Sequence, residues 1–237
     1  MFFLLALLGC PKPGPLALGS SAGTATAAVA LPDAPLPPKP TMDEEYGTVA
    51  VNYMRADAPG ALAAIDVFER DYPTSPYLEI LQDWRTSLAR FGTPSPALQI
   101  TRWVDKPATF ADHPVTLVVF FEPWCPHCQQ EVPGFQPLQE MYEARGLGVV
   151  AVTALTRGAT DEMLQQFVEL GGLKFPVGVE DGSMSEAWGV TGVPHAAFVR
   201  DGTVVWTGNA SLITLDLVDA IVDRKPLPLP MPEPATK

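Results

Sequence analysis

Two of the three cysteines in this 237-residue chain stand close together, Cys125 and Cys128, with Pro126 and His127 between them. A disulfide-stapled domain would need more pairs at wider spacing. A structural zinc site would need a second ligand pair, and Cys125, His127 and Cys128 lack a fourth ligand; no metal is expected. The C-x-x-C pair therefore points to redox chemistry, with a Cys125–Cys128 disulfide as the only redox group and no separate cofactor. The position of Cys125 supports this. It follows an apolar run, Val115 to Phe121, and opens a helix. The first turn of a helix offers unpaired N–H groups and the positive end of the dipole, and both stabilise a thiolate. Thiolate is the form that attacks a disulfide. Cys125 is read as the nucleophile and Cys128, one turn on, as the resolving thiol.

The elements that must hold this pair are legible around it. The run VTLVVFF has no polar alternation, as expected for a central strand buried on both faces. A helix follows the cysteines through about Ala144. Gly148 to Thr153 reads as a strand, Thr160 to Leu170 as a helix, Phe175 to Val179 as a strand and Met184 to Trp188 as a short helix. Ala196–Arg200 and Thr203–Thr207 flank Asp201-Gly202, a hairpin signal. Leu212 to Arg224 closes the pattern as a helix, and Leu98 to Trp103 reads as a further short strand. Strands alternating with helices give an α/β fold with a mixed central sheet and helices on both faces.

Upstream, residues 42 to 91 carry a helical period through Ala61, Leu62, Ile65 and Phe68, then Leu78, Leu81, Trp84 and Leu88. Thr74 or Ser75 is expected to cap the second run, with Pro76 in its first turn. The pattern F-x-x-x-Y-P-x-S-P-Y resembles a tetratricopeptide-like helical pair and makes one repeat at most, so it reads as an appendage packed on the main domain. The domain reading is a signal with lipobox at 1–10, a Pro/Ala-rich tether at 11–41, the helical appendage at 42–92, the main domain at 93–225 and a Pro-rich tail at 226–237.

The segment F-F-E-P-W-C-P-H-C-Q-Q-E-V-P resembles the active-site stretch of thioredoxin-fold thiol–disulfide oxidoreductases, in particular the TlpA-like family. Pro133 matches the family's helix-kinking proline, and Val193-Pro194 precedes a strand where the family has a cis-proline facing the dithiol. The resemblance covers roughly residues 93 to 224 and implies a thioredoxin-like fold. It implies that Val193 offers backbone groups to an extended substrate beside Pro194. It implies that Glu131, three residues after Cys128, either moves protons to and from the resolving thiol or only complements the helix dipole. The aspartate that thioredoxins bury in the preceding strand is replaced by Val119. Glu122 adjoins the motif and is expected to point elsewhere. His195 stands where the family usually has threonine, and either lines the substrate groove or is exposed. His113 is expected to be solvated in a loop.

Trp124, Pro126 and His127 border the sulfurs and are the candidates for tuning the redox potential. The Pro-His pair resembles that of DsbA-type oxidants, whereas the TlpA-like resemblance implies a reductase. The direction stays open on the residues, with reductase favoured slightly. Two other readings compete. A thiol peroxidase of peroxiredoxin type would place Thr or Ser where Glu122 stands, and a copper-delivery module would space its cysteines more widely and add a distal histidine.

The formal net charge is −12, with 15 Lys and Arg against 27 Asp and Glu, and no basic stripe interleaves with aromatics. This argues against nucleic-acid binding. Met1 to Gly9 is apolar but too short to span a bilayer. Its end, Leu7-Leu8-Gly9-Cys10, resembles a bacterial lipobox, which implies an acylated Cys10 anchoring the chain to a membrane of the cell envelope. The partners then expected are protein thiols or disulfides of the envelope and a membrane electron donor or acceptor.

Overall fold

A computed structural model describes residues 38–55 and 57–227. Cys10, the apolar run before it, and most of the stretches read as tether and tail lie outside these residues. Among the described residues three helices come first: α1 (Met42–Met54), α2 (Ala58–Asp71) and α3 (Leu78–Leu88). Thr41 and Glu44 close a reciprocal capping box at the start of α1, which satisfies two orphan N–H groups. Ser75 does not cap α3. Its hydroxyl accepts from the Tyr77 N–H within the preceding turn, so the helix starts at Leu78 and leaves Pro76 outside. The helices share a core of their own, Val49, Tyr53, Ala61, Ile65, Phe68, Leu81 and Leu88.

The sheet has six strands: β1 (Arg102–Trp103), β2 (Val115–Phe120), β3 (Leu147–Thr153), β4 (Val177–Val179), β5 (His195–Arg200) and β6 (Thr203–Asn209). Their order is β1-β4-β3-β2-β5-β6, with β2–β3 and β3–β4 parallel and the other pairs antiparallel. β2 lies inside the sheet and all six of its residues are buried, which is why its sequence is apolar throughout. The strand expected over 98–103 shrinks to two residues, since pairing with β4 begins only at Thr101, whose N–H donates to the Val179 carbonyl.

Five more helices complete the domain: α4 (Pro126–Glu131), α5 (Phe135–Tyr142), α6 (Asp161–Leu170), α7 (Ser183–Trp188) and α8 (Leu215–Val222). The helix expected from the cysteines through Ala144 is broken. Pro133 has no N–H to donate, and a 3₁₀ turn over Val132–Gly134 separates α4 from α5. The closing helix is also shorter than its pattern, because a 3₁₀ turn takes Ala210–Leu212 and Thr214 caps α8 with its hydroxyl. On one face of the sheet, Leu117, Val119 and Phe121 pack with Leu138, Leu164, Phe167, Leu217 and Ile221 from α5, α6 and α8. On the other, Val118 and Phe120 pack with Met184 and Trp188 of α7. The hairpin β5–β6 turns at Asp201 and Gly202, both left-handed with φ of 50° and 74°, as a two-residue turn of this hand requires.

His113 is half-buried rather than fully solvated. Its ring lies across Gly148, where a Cβ would meet it at 2.1 Å, so glycine in β3 makes room for the imidazole. The outer edge of β6 is covered as well. Gly92 N–H donates to Val204 O at 2.8 Å, Val204 N–H to Thr93 O at 2.9 Å, and Ser95 N–H to Gly202 O at 2.8 Å. Further along, the Tyr53 hydroxyl of α1 donates to Thr207 O at 2.9 Å. The helical region and the sheet thus share an edge that would otherwise offer unpaired backbone groups.

Candidate active site

Cys125 sits between the end of β2 and the start of α4, at the N-cap position. Its Sγ accepts the Cys128 N–H at 3.3 Å, taking the place of the oxygen that usually caps a helix. Pro126 fills the first helical position, where a missing N–H costs nothing. The Cys125 thiol faces the Val193 carbonyl at 3.7 Å, and the Val193–Pro194 peptide bond is cis. The two stretches, 68 residues apart in sequence, therefore meet at the sulfur. Cys125 is 4% exposed and Cys128 0%. Burial pushes the Cys128 thiol far above the ordinary thiol range, and the neighbouring Cys125 adds to the effect. Both cysteines are thus buried, and Cys128, the deeper of the two, is the one whose thiol burial keeps protonated.

The two acids are placed differently. Glu131 lies on α4, and burial raises its carboxyl while His127 pulls it back. Its Oε2 is buried without a hydrogen-bond partner, and no hydrogen bond joins it to either sulfur. Glu122 points away from the sulfurs, as expected, but not into solvent. It is buried, and its carboxylate accepts from Ala154 N–H at 3.2 Å and Thr156 N–H at 3.0 Å, on the loop after β3. Burial raises this carboxyl too, against the pull of those two N–H groups. Its charge also raises the Cys128 thiol, though by less than the hydrogen bond from the Glu122 backbone lowers it.

His195 neither lines the groove nor is exposed. The strand alternation sends it to the face opposite the cysteines, against Phe120, and it is 8% exposed. Its Nε2 meets the Thr207 hydroxyl at 2.7 Å, and burial pushes its pKa down to about 4. His127, by contrast, is exposed on the first turn of α4.

Trp124 is pinned on two sides. Its Nε1–H donates to Thr156 Oγ1 at 3.3 Å, and the Arg157 guanidinium lies over its ring, 4.2 Å from the centroid. Sequence reasoning missed Thr156 and Arg157, since nothing near the C-x-x-C pair marks a loop some thirty residues later as its neighbour. Among the described residues no group of three His, Cys, Asp or Glu side chains is placed to hold a metal ion.

Residues 104–221 match the Redoxin family. With the sheet and helices above, they form a domain of thioredoxin-like fold. Among curated relatives, the thiol-disulfide oxidoreductase ResA of Bacillus thuringiensis (strain Al Hakam) is 33% identical over 88 residues, covering 36% of this chain and 49% of its own length. The chain thus spans about half the length of such relatives. ResA of Halalkalibacterium halodurans is 29% identical over 105 residues, 44% of this chain and 58% of that one. In solved structures, a thioredoxin-like superfamily protein superposes with a TM-score of 0.50 at 22% identity, over 59% of this chain and 99% of its own.

Proposed function

We propose that the chain is a thiol–disulfide oxidoreductase that reduces disulfides of cell-envelope proteins. The observation that carries this reading is the asymmetry of the pair: Cys125 Sγ at the N-cap accepting the Cys128 N–H, and Cys128 fully buried beneath it. The Cys125 thiolate attacks one sulfur of a substrate disulfide. That S–S bond breaks, the departing sulfur takes up a proton, and a mixed disulfide to Cys125 remains. Cys128 then loses its proton and attacks Cys125 Sγ, which releases the second substrate sulfur as a thiol. Two electrons pass to the substrate and a Cys125–Cys128 disulfide is left, to be reduced again by a membrane electron donor. Glu131 is the base we assign to the Cys128 proton, since its raised carboxyl lies one helical turn from that residue. Trp124, Pro126 and His127 tune the pair, and Val193, beside Pro194, pairs with the substrate backbone. The lipobox-like run ending at Cys10 supports a lipid-anchored place in the envelope.

Pro126-His127 between the sulfurs favours a second reading, a thiol oxidase that runs the same steps backward. The redox potential against glutathione separates them. A value near about −270 mV supports the reductase and one near about −120 mV the oxidase. The mechanism itself is tested by substitution. Cys125→Ser is expected to abolish exchange with a protein disulfide, and Cys128→Ser to accumulate mixed disulfides. Sustained turnover by both variants would refute it.

A further inference from the structure

The loop after β3 is built in a way the exchange reaction alone does not require. Leu155 and Arg157 both adopt left-handed backbone, with φ of 52° and 53°, an unfavourable conformation for either residue. Thr156 lies between them. The loop keeps this shape because the buried Glu122 carboxylate takes the N–H groups of Ala154 and Thr156. Glu122 comes from the segment that leads into the cysteines, so the shape of the loop is tied to the position of the dithiol.

The latched loop delivers two groups to one side chain. Thr156 accepts the Trp124 indole N–H, and Arg157 stacks on the ring. Trp124 is the residue directly before the nucleophile. Arg157 is exposed, and among the described residues no carboxylate pairs with it. Several other arginines here are paired, Arg85 with Asp66 and Arg145 with Asp219 and Asp223. Stacking on an aromatic ring leaves the edge of a guanidinium, with its N–H groups, open to a planar anion. It also fixes the side chain in advance, so little rotamer freedom is lost when a ligand binds.

We propose that Arg157, stacked on Trp124 and held there through Glu122, is a docking site for a carboxylate on the substrate, an Asp or Glu close in sequence to the disulfide under attack. This rests on the exchange reading above and adds the substrate class to it. Glu122 is a positioning residue in this scheme, because it acts through the loop.

The test uses three peptides, each closed by one disulfide and differing only in two flanking residues, Asp, Asn or Lys. The second-order rate of oxidation of the reduced protein is measured with each. The wild-type protein is expected to favour the Asp peptide over the Asn peptide about fivefold, the size of an exposed ion pair. The preference should fade as salt approaches about 1 M. Arg157→Gln should bring the ratio to about one, and Arg157→Glu should invert it. Glu122→Gln, with its fold verified by circular dichroism, should give a ratio between those of wild type and Arg157→Gln. Equal wild-type rates, or a preference that survives Arg157→Gln, would overturn the docking site alone. A protein inert toward all three peptides would overturn the exchange reading and this site with it.

Discussion

Acidification should strike this protein first at His195. The Thr207 hydroxyl has one hydrogen and donates it to Ala196 O at 3.1 Å, so it must accept from His195 Nε2–H at 2.7 Å. The neutral ring then carries no proton on Nδ1, and charging it adds one on a buried imidazole packed against Phe120. Burial holds the folded pKa at about 4, against an ordinary 6.5. The folded protein therefore binds fewer protons than the unfolded chain between those values. The stability from this group is full above pH 6.5 and is lost as pH falls toward 4. At 1.36 kcal/mol per pKa unit the loss relative to pH 7 is about 2 kcal/mol by pH 5 and about 3 kcal/mol by pH 4. The raised carboxyls of Glu122 and Glu131 act in the opposite sense, holding protons in the folded state. The difference between wild type and His195→Gln isolates the imidazole, since glutamine can still donate to Thr207. Urea unfolding followed by tryptophan fluorescence at pH 7, 5 and 4 measures it, provided the slope with urea is unchanged. The two stability curves should converge or cross as pH falls. Curves that stay parallel from pH 7 to pH 4 would refute the argument.

Two further outcomes are expected. Tyr53→Phe removes the hydrogen bond to Thr207 O and should cost about 1 kcal/mol. Tyr53→Ala also removes a ring stacked 4.6 Å from Trp84 and should cost about 3–5 kcal/mol, read as a lower urea midpoint for the whole chain. Glu131→Gln should slow the release of the mixed disulfide about 100-fold and remove the fall in that rate as pH drops through the raised carboxyl pKa; an unchanged pH profile would exclude Glu131 as the base.

What the sequence discloses and what it hides follow from distance along the chain. β2 was legible because burial on both faces leaves no polar residue in VTLVVF. The hairpin was legible because Asp201-Gly202 accepts left-handed backbone. The position of Cys125 was legible because strand, turn and helix are contiguous. Glu122 points away from the sulfurs as expected, but its partners were hidden because they lie 32 and 34 residues away, on a loop with no turn signal that points back to it. His195 was open to a better reading. Strand alternation from Ala196, which packs on the cysteine face, puts its neighbour on the other one. The shortened strand at Arg102 and the late start of α3 were set by single hydrogen bonds, which periodicity cannot resolve.

The covered edge of β6 also bears on the order in which the chain becomes folded. The helices and the 92–95 segment are synthesised early, but the strand they close upon is among the last parts made; Tyr53 and Thr207 are 154 residues apart. The early helices can assemble their own core but cannot gain their outer contacts until the final hairpin exists. A contact of such separation must be paid for in loop entropy before it returns any stability, which makes completion a late and slow event. Until then the growing sheet has a bare margin. In that interval residues 203–209 are the stretch where cover by a chaperone would be most valuable.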